Sequence, residues 1–451
     1  MEFDLEMRAG SSEPTVLVMG MGATGASCAR HLAARGIAAE FADTRARPPG
    51  LGEILDAMPD ARVHVGREPS RLRDTIRRIV VSPGVDLGLE LLAEAKQRRL
   101  EVVSDIDLFV AECNAPIIAV TGSNGKSTVA SMLGFILNAT GRRTRVGGNI
   151  GTPALDVLDA SVETYVLELS SFQLERSAPI PAAVSVILNI SPDHLDQHDN
   201  MDAYTAAKAR VHLACDHAIV NRDEPNLFRH VPKGTPVTSF GLDAPAEGDF
   251  GIVETPRGSC IARGEDLLLA TDELPLIGRH NVSNAMAALA LARAVGGSAA
   301  AMAQVLKRYR GLPHRMQVVG NFGSVTWIDD SKATNVGAAL TSIDGVEDPF
   351  VLIAGGDAKG ASFDALAAAL RGRDCEAVLL GKDAPAIAQA LVDVVPAEIV
   401  ADMTSAVSAA ARRARPGGSV LLAPACSSLD MFESFAARGD AFATAVRGLG
   451  Q

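Results

Sequence analysis

Short, largely apolar runs of three to six residues recur along this chain. Each closes on glycines or small polar residues, and most lead into a stretch whose apolar positions return every three or four residues. The first run, Val16–Met19, leads through Gly20-Met21-Gly22-Ala23-Thr24-Gly25 into a helical pattern ending near Gly36. Ala38–Ala42 closes on Asp43-Thr44-Arg45, and Ile79–Val81 on Ser82-Pro83-Gly84. In the middle of the chain, Ile117–Val120 precedes Thr121–Thr128, and Val129, Met132, Leu133, Phe135 and Ile136 then keep helical spacing. Thr164–Leu167 runs into Glu168–Gln173, and Ala183–Leu188 into Asn189–Asp196. Helices are expected over Ala203–Arg210 and Val282–Val295, with a β-rich stretch over 218–275 between them. The last third repeats the grammar: strands at Val325–Ile328, Phe350–Ala354, 376–380 and 419–422, and helices near 362–371, 384–392, 404–414 and 430–437.

Strand-like runs alternating with helices indicate parallel, doubly wound sheets. The expected fold is α/β in three domains. These are a Rossmann-like N-terminal domain over 1–103, a P-loop ATPase-like central domain over 104–312, and a Rossmann-like C-terminal domain over 313–451, with Gly311-Leu312-Pro313 as a hinge-like boundary.

Composition narrows the setting. The chain has 451 residues, of which 47% are apolar and 21% charged, as in ordinary globular proteins. No apolar run reaches the roughly 18 residues of a membrane span. The acidic start, Met1–Glu6, lacks the apolar core of a signal peptide. Six scattered cysteines show no metal or disulfide spacing, so the expected compartment is the reducing cytoplasm. A net charge of −12 argues against nucleic acid as a partner, so any anionic ligand must be held by local loops and helix ends.

Thr121-Gly122-Ser123-Asn124-Gly125-Lys126-Ser127-Thr128 is such a site. A strand, a glycine loop, a lysine, two hydroxyls and a helix start together form a phosphate cradle, with Mg²⁺ as the natural companion of a hydroxyl ligand. The full P-loop spacing would place glycine at position 120, where this chain has Val120, so the loop is a contracted form. The Gly20–Gly25 loop followed by Asp43 reads, alone, as a dinucleotide site, though any nucleotide diphosphate can use the same cradle. Glu168 and His194 follow strands that can end beside the phosphate loop, yet each could equally be a solvated or capping residue. His194 and His198 lie four apart, but Pro192 disfavours a helix there, which weakens a zinc reading. Lys332 and Lys359, close to strand ends in the last domain, suit an anionic ligand.

Several of these segments occur in the order found in one family. Thr121–Thr128, Glu168–Glu175, Asn189–Asp196, His280-Asn281 to Asn284, Gly311–Arg315, Asp330–Asn335 and Ala423–Phe435 resemble the Mur ligases, ATP-dependent amide-forming enzymes of peptidoglycan precursor synthesis. The likeness covers essentially the whole chain. It implies a monomeric, cytoplasmic enzyme that uses ATP and Mg²⁺ to add D-glutamate to UDP-N-acetylmuramoyl-L-alanine, through an acyl phosphate. Ala23, Thr24, Asp43, Thr44, Arg45, Ser82, Pro83, Gly84 and Asn149 would then bind the UDP substrate, with Ser170 and Gln173 close by. Gly122, Ser123, Asn124, Gly125, Lys126, Ser127, Thr128, Asn281, Asn284, Arg315 and Asp330 would serve ATP. Ser127, Glu168, His194 and Lys208, the last as a carbamate, would hold metal. Lys332, Thr334, Lys359, Ser428, Leu429 and Phe435 would receive D-glutamate. Lys126, His194, Lys208, Lys332 and Lys359 would carry catalysis. Two positions depart from the family pattern: Ala423 replaces a common serine, and Ala23 a larger apolar residue. A dehydrogenase, a P-loop switch protein, a folate-polyglutamate ligase and an L-glutamate-adding ligase are the competing readings.

Overall fold

The computed structural model describes residues 15–149, 151–192, 198 and 200–449. It divides into two compact units: Met1–Val253 with Ala262–Leu268 and Met286–Val305, and Glu254–Ile261 with Leu269–Ala285 and Leu306–Gln451. The acidic start at Met1–Glu6, as well as Asp193 and His194, lies outside the described residues.

The first unit begins with a parallel sheet of β1 (Val16–Met19), β2 (Ala39–Asp43), β3 (Arg62–Val65), β4 (Arg78–Val81) and β5 (Glu101–Val103), in the order β3-β2-β1-β4-β5. The chain winds from β1 out to β3, then returns to β4 on the other side of β1. The loops after β1 and β4 therefore flank a crevice at the carboxyl ends of the strands, where open α/β sheets bind ligands. Strands β1 and β2 are buried throughout, as a two-face-covered sheet requires.

Next come β6 (Ile117–Thr121), β7 (Thr144–Gly148), β8 (Thr164–Glu168), β9 (Val184–Ile187), β10 (Ala218–Asn221), β11 (Val237–Phe240) and β12 (Phe250–Thr255), in the order β12-β11-β10-β9-β6-β8-β7. Two further strands, β13 (Gly258–Arg263) and β14 (Asp266–Ala270), belong to the same sheet. Strand β6 sits between β8 and β9, with Val120 opposite Glu168 and Thr121 opposite Ile187. One apolar core joins the two sheets, running from Val18 and Phe41 to Phe109, Tyr165 and Leu167. Phe109 meets the Tyr165 ring edge-on at 5.1 Å, a contact worth about 1 kcal/mol beyond its buried area. Arg30 adds a two-pronged bond to Asp156 at 3.2 and 2.6 Å.

The second unit carries β15 (Gln317–Phe322), β16 (Val325–Asp329), β17 (Phe350–Gly355), β18 (Cys375–Leu380), β19 (Ala397–Ile399) and β20 (Ser419–Leu422), in the order β15-β16-β20-β17-β18-β19. β15 pairs antiparallel with β16, an edge hairpin that the alternating pattern did not announce. Separate apolar clusters cover the two faces of the sheet. The chain's single tryptophan, Trp327, is 1% exposed in one of them, 6.1 Å from the Phe442 ring. The helix expected near 430–437 instead spans Phe435–Gly448, because the Ser434 hydroxyl accepts the Ala437 N–H and starts it there. Among the described residues no helix is long and apolar enough to cross a membrane.

Candidate active site

The first crevice is built by backbone proximity. Gly25, in the first turn of the helix that follows the loop, sits with its α-carbon against Gly20; a Cβ there would lie 2.2 Å from the Gly20 carbonyl oxygen. Ala23 and Thr24 begin the helix Ala23–Ala34. From across the crevice, the Ser82 hydroxyl donates to the Gly20 carbonyl at 3.2 Å, and Pro83 and Gly84 form the turn behind it. Asp43 is occupied within the protein. It accepts the Met21 N–H at 2.7 Å, the Arg45 N–H at 2.8 Å and the Arg45 guanidinium at 2.9 and 2.6 Å. Burial raises its pKa, but the Arg45 side chain and the two backbone donors outweigh that and bring it to about 2. The carboxylate therefore fixes Arg45 and the glycine loop in place, and Thr44 lies exposed between them.

The phosphate loop follows from the central sheet. Gly125 caps the helix Lys126–Ala139 at φ 81, a left-handed conformation suited to glycine, and leaves the first helical N–H groups with no side-chain cap. Ser127 and Thr128, both buried, begin that helix. The Lys126 ammonium folds back and donates to the carbonyls of Gly122 and Ser123, both at 2.8 Å. The segment after β9 braces the loop. Asn189 accepts the Ser123 N–H on its carbonyl and the Asn124 N–H on Oδ1. The Ser123 hydroxyl donates to the Ser191 carbonyl at 3.0 Å and lies 3.1 Å from the Tyr204 hydroxyl. Asn189 and Tyr204 escaped the sequence reading as loop braces; the polar Asn189-Ile190-Ser191 closing an apolar run was the available signal.

Glu168 ends β8 beside this loop. It is 2% exposed, and its Oε1 accepts the Asn149 amide at 3.1 Å, while the Asn149 N–H bonds the Glu168 carbonyl. Lys208, also 2% exposed, lies with its ammonium 4.6 Å from the centre of the Tyr204 ring. Tyr204 thus links the lysine to the phosphate loop. Ser170 and Gln173 form a reciprocal capping box at the start of the helix Ser171–Arg176. His198 stacks on Phe172 at 5.2 Å and pairs with the Ser171 hydroxyl at 3.0 Å, a packing role.

In the second unit, Asn281 and Asn284 are buried on the helix Arg279–Ala294 and bonded to each other at 3.2 Å. Asp330 accepts the Met316 N–H and the Ser342 hydroxyl. Burial, helped by neighbouring Asp329, raises its pKa to about 6 against those two bonds and the nearby Arg315. Three segments meet at the carboxyl ends of adjacent strands β16, β20 and β17. Lys332 lies 4.1 Å from the centre of the Phe435 ring, and Thr334 donates its N–H to the Lys332 carbonyl at 2.7 Å. Asp357 bridges to Ser427, which brings the turn holding Lys359 beside buried Ser428 and exposed Leu429. Arg438, 1% exposed, ties these segments together. It donates to the Ser331 hydroxyl and carbonyl at 3.0 and 2.9 Å, to the Cys426 carbonyl at 3.1 Å and to the Gly355 carbonyl at 3.4 Å. Nothing in the sequence marked this arginine.

The chain is 44% identical to the UDP-N-acetylmuramoylalanine--D-glutamate ligase of Methylococcus capsulatus over 96% of its length and 95% of that protein's. It is 45% identical to the enzyme of the same name from Pseudomonas aeruginosa, over 96% and 98% of the two chains. The chain belongs to the Mur ligase family. Three Mur ligase domain descriptions match in order: the MurD-like N-terminal domain over residues 14–104, the middle domain over 120–292, and the glutamate ligase domain over 314–426. A solved Mur ligase, the UDP-N-acetylmuramate-alanine ligase of Thermotoga maritima, shares the fold. Its TM-score is 0.61 at 18% identity, over 97% of this chain and all of that one.

Proposed function

We propose that this chain is an ATP-dependent ligase that adds D-glutamate to UDP-N-acetylmuramoyl-L-alanine in peptidoglycan precursor synthesis. The observation that carries this reading is identity of 44–45% along nearly the whole chain to D-glutamate ligases. A dehydrogenase leaves Lys126, Ser127 and Thr128 without a role, and a switch protein leaves Lys332 and Lys359 without one. In this reading, residues 1–103 bind the UDP substrate, 104–312 bind ATP, and 313–451 bind the amino acid, in a cytoplasmic monomer.

The terminal carboxylate of the UDP substrate attacks the γ-phosphorus of ATP. ADP leaves, and an acyl phosphate forms. The amine of D-glutamate then attacks the acyl carbon, gives up a proton, and expels inorganic phosphate as the amide forms. Two anions must meet in the first step, so positive charge at the loop matters most there. Lys126 exchanges its loop carbonyls for phosphate oxygens, and the uncapped helix start supplies N–H donors. The hydroxyl of Ser127 and the buried carboxylate of Glu168 are hard oxygen donors that would suit Mg²⁺, and His194 with Lys208 as a carbamate would complete the set. Bound there, Mg²⁺ offsets the repulsion between the approaching oxygens. Lys332, Thr334, Lys359 and Ser428 hold the carboxylates of glutamate and aim its amine, a matter of orientation worth several kcal/mol.

The test is phosphate release across a panel of amino acids, including L-glutamate, with ATP, Mg²⁺ and UDP-N-acetylmuramoyl-L-alanine fixed. Turnover is expected with D-glutamate and with no other member of the panel. Equal turnover without any amino acid would sink the assignment.

A further inference from the structure

The turn that carries Lys359 is held by a residue outside the family motifs described above. After β18 the chain reads Gly381-Lys382-Asp383-Ala384-Pro385, and Asp383 stands at the N-cap of the helix Ala384–Ala390. An aspartate there ordinarily accepts an N–H of its own helix. Asp383 makes no such bond. The helix does not require it: Ala384 donates its N–H to the Gly381 carbonyl at 3.2 Å, and Pro385 has none to give. Ala386 and Ile387 both donate to the Asp383 carbonyl, at 3.0 and 3.1 Å. With its own helix satisfied by main chain, the Asp383 carboxylate reaches across to β17's turn and accepts the Ala358 N–H at 2.7 Å. In the opposite direction, the Asp383 N–H donates to the Gly356 carbonyl at 3.0 Å.

These two bonds fasten the residues just before Lys359, whose own backbone is in the left-handed region at φ 50. A lysine rarely adopts that conformation unless its surroundings impose it. Asp357 adds to the constraint, accepting the Lys359 N–H at 2.9 Å while its other oxygen lies 3.1 Å from the Lys382 ammonium. On the far flank, Asp357 exchanges two backbone bonds with Ser427, at 3.0 and 2.9 Å. The Lys382–Asp357 pair is exposed, at 61% and 29% of the two side chains, and exposed pairs contribute little. The partly buried, charge-assisted bond from Ala358 to Asp383 is the stronger of the two.

On the reading that Lys359 receives glutamate, we propose that Asp383 is a positioning residue that sets the direction of Lys359, and so the affinity for the amino acid. Asp383 touches no substrate in this account; it acts through the turn.

The experiment measures KM for all three substrates in Asp383→Ala, Asp383→Asn and Lys382→Met, with unfolding midpoints recorded alongside. Asp383→Ala is expected to raise KM for D-glutamate about tenfold or more, since small misplacements of an orienting group are costly. KM for ATP and for the UDP substrate should stay within about twofold. Asp383→Asn keeps an acceptor for the Ala358 N–H and should restore KM to within about threefold of the wild type. Lys382→Met should also change KM by no more than about threefold. Should Asp383→Ala not fold, Asp383→Ser, which can cap the helix but is too short to hold the turn, is expected to show the same selective rise. An unchanged D-glutamate KM, an equal rise for all three substrates, or no recovery in Asp383→Asn would overturn the proposal. Wild-type turnover that ignores D-glutamate would instead remove the ligase reading on which it rests.

Discussion

Asn124 and Asn189 exchange two hydrogen bonds: the Asn124 N–H donates to Asn189 Oδ1 at 2.8 Å, and the Asn189 amide donates to the Asn124 carbonyl at 3.1 Å. The middle of the phosphate loop is thereby fixed to the segment that follows β9. Removing both bonds by Asn189→Ala should loosen the loop without unfolding it, because the Asn189 main chain still holds the Ser123 N–H. Each bond is worth about 1 kcal/mol, so kcat/KM for ATP should fall by about tenfold or more. Asn189→Asp, which keeps the acceptor and loses the donor, should fall between. Steady-state kinetics with the other substrates saturating would measure both.

Lys208 is buried against Tyr204, and the proposed carbamate would make it an anionic metal ligand. Lys208→Ala should lower turnover by at least the roughly 10–100-fold that losing a residue supporting a metal ligand costs. Added acetate should restore part of that loss by supplying a carboxylate in the vacated space. A fully active Lys208→Ala enzyme would rule out the carbamate.

Asp43 gives a pH signature. Its pKa in the folded protein, about 2, lies below the usual unfolded value of about 3.9. The stabilisation it provides is therefore fully present above pH 4 and is lost as pH falls through 2. It amounts to about 2 kcal/mol at neutral pH. Denaturant unfolding of wild type and Asp43→Asn should differ by that much at pH 6, with the gap roughly halved at pH 3. A gap independent of pH would show that ionised Asp43 does not hold the glycine loop.

Burial lowers the Arg438 pKa to about 10, so the guanidinium stays charged at neutral pH while it serves four acceptors. Arg438→Met keeps much of the volume but orphans the Ser331, Gly355 and Cys426 carbonyls. The expected cost is about 3 kcal/mol of stability, together with a higher KM for D-glutamate. Urea unfolding and kinetics on the same preparation would check both.

Much of this molecule was legible from residue order. The phosphate loop was visible because strand, glycine, lysine and helix must be contiguous to work, and the strand ends at Glu168, Asp329 and Gly355 followed from apolar runs meeting polar residues. Arg438 was not, because its partners lie 12 to 107 residues away along the chain, and an arginine within an alanine-rich helix looks like a surface charge. Asp383 reads as an ordinary N-cap; only the structure shows its helix satisfied by main chain and its carboxylate turned elsewhere. Ser170 and Gln173 carry the reverse lesson. Their spacing is that of a capping box, and the structure uses it as one.

Trp327 makes one half of this protein optically addressable. It is the chain's only tryptophan, dry, and two residues upstream of Asp329 on the strand that leads to Lys332. Its indole emission therefore reports on the second unit alone, without any label. A spectral change on adding D-glutamate would be read at its own domain. The same change on adding the UDP substrate by itself would mean that an event in the first unit is felt in the second, which makes a native fluorimeter trace a direct assay of communication between them.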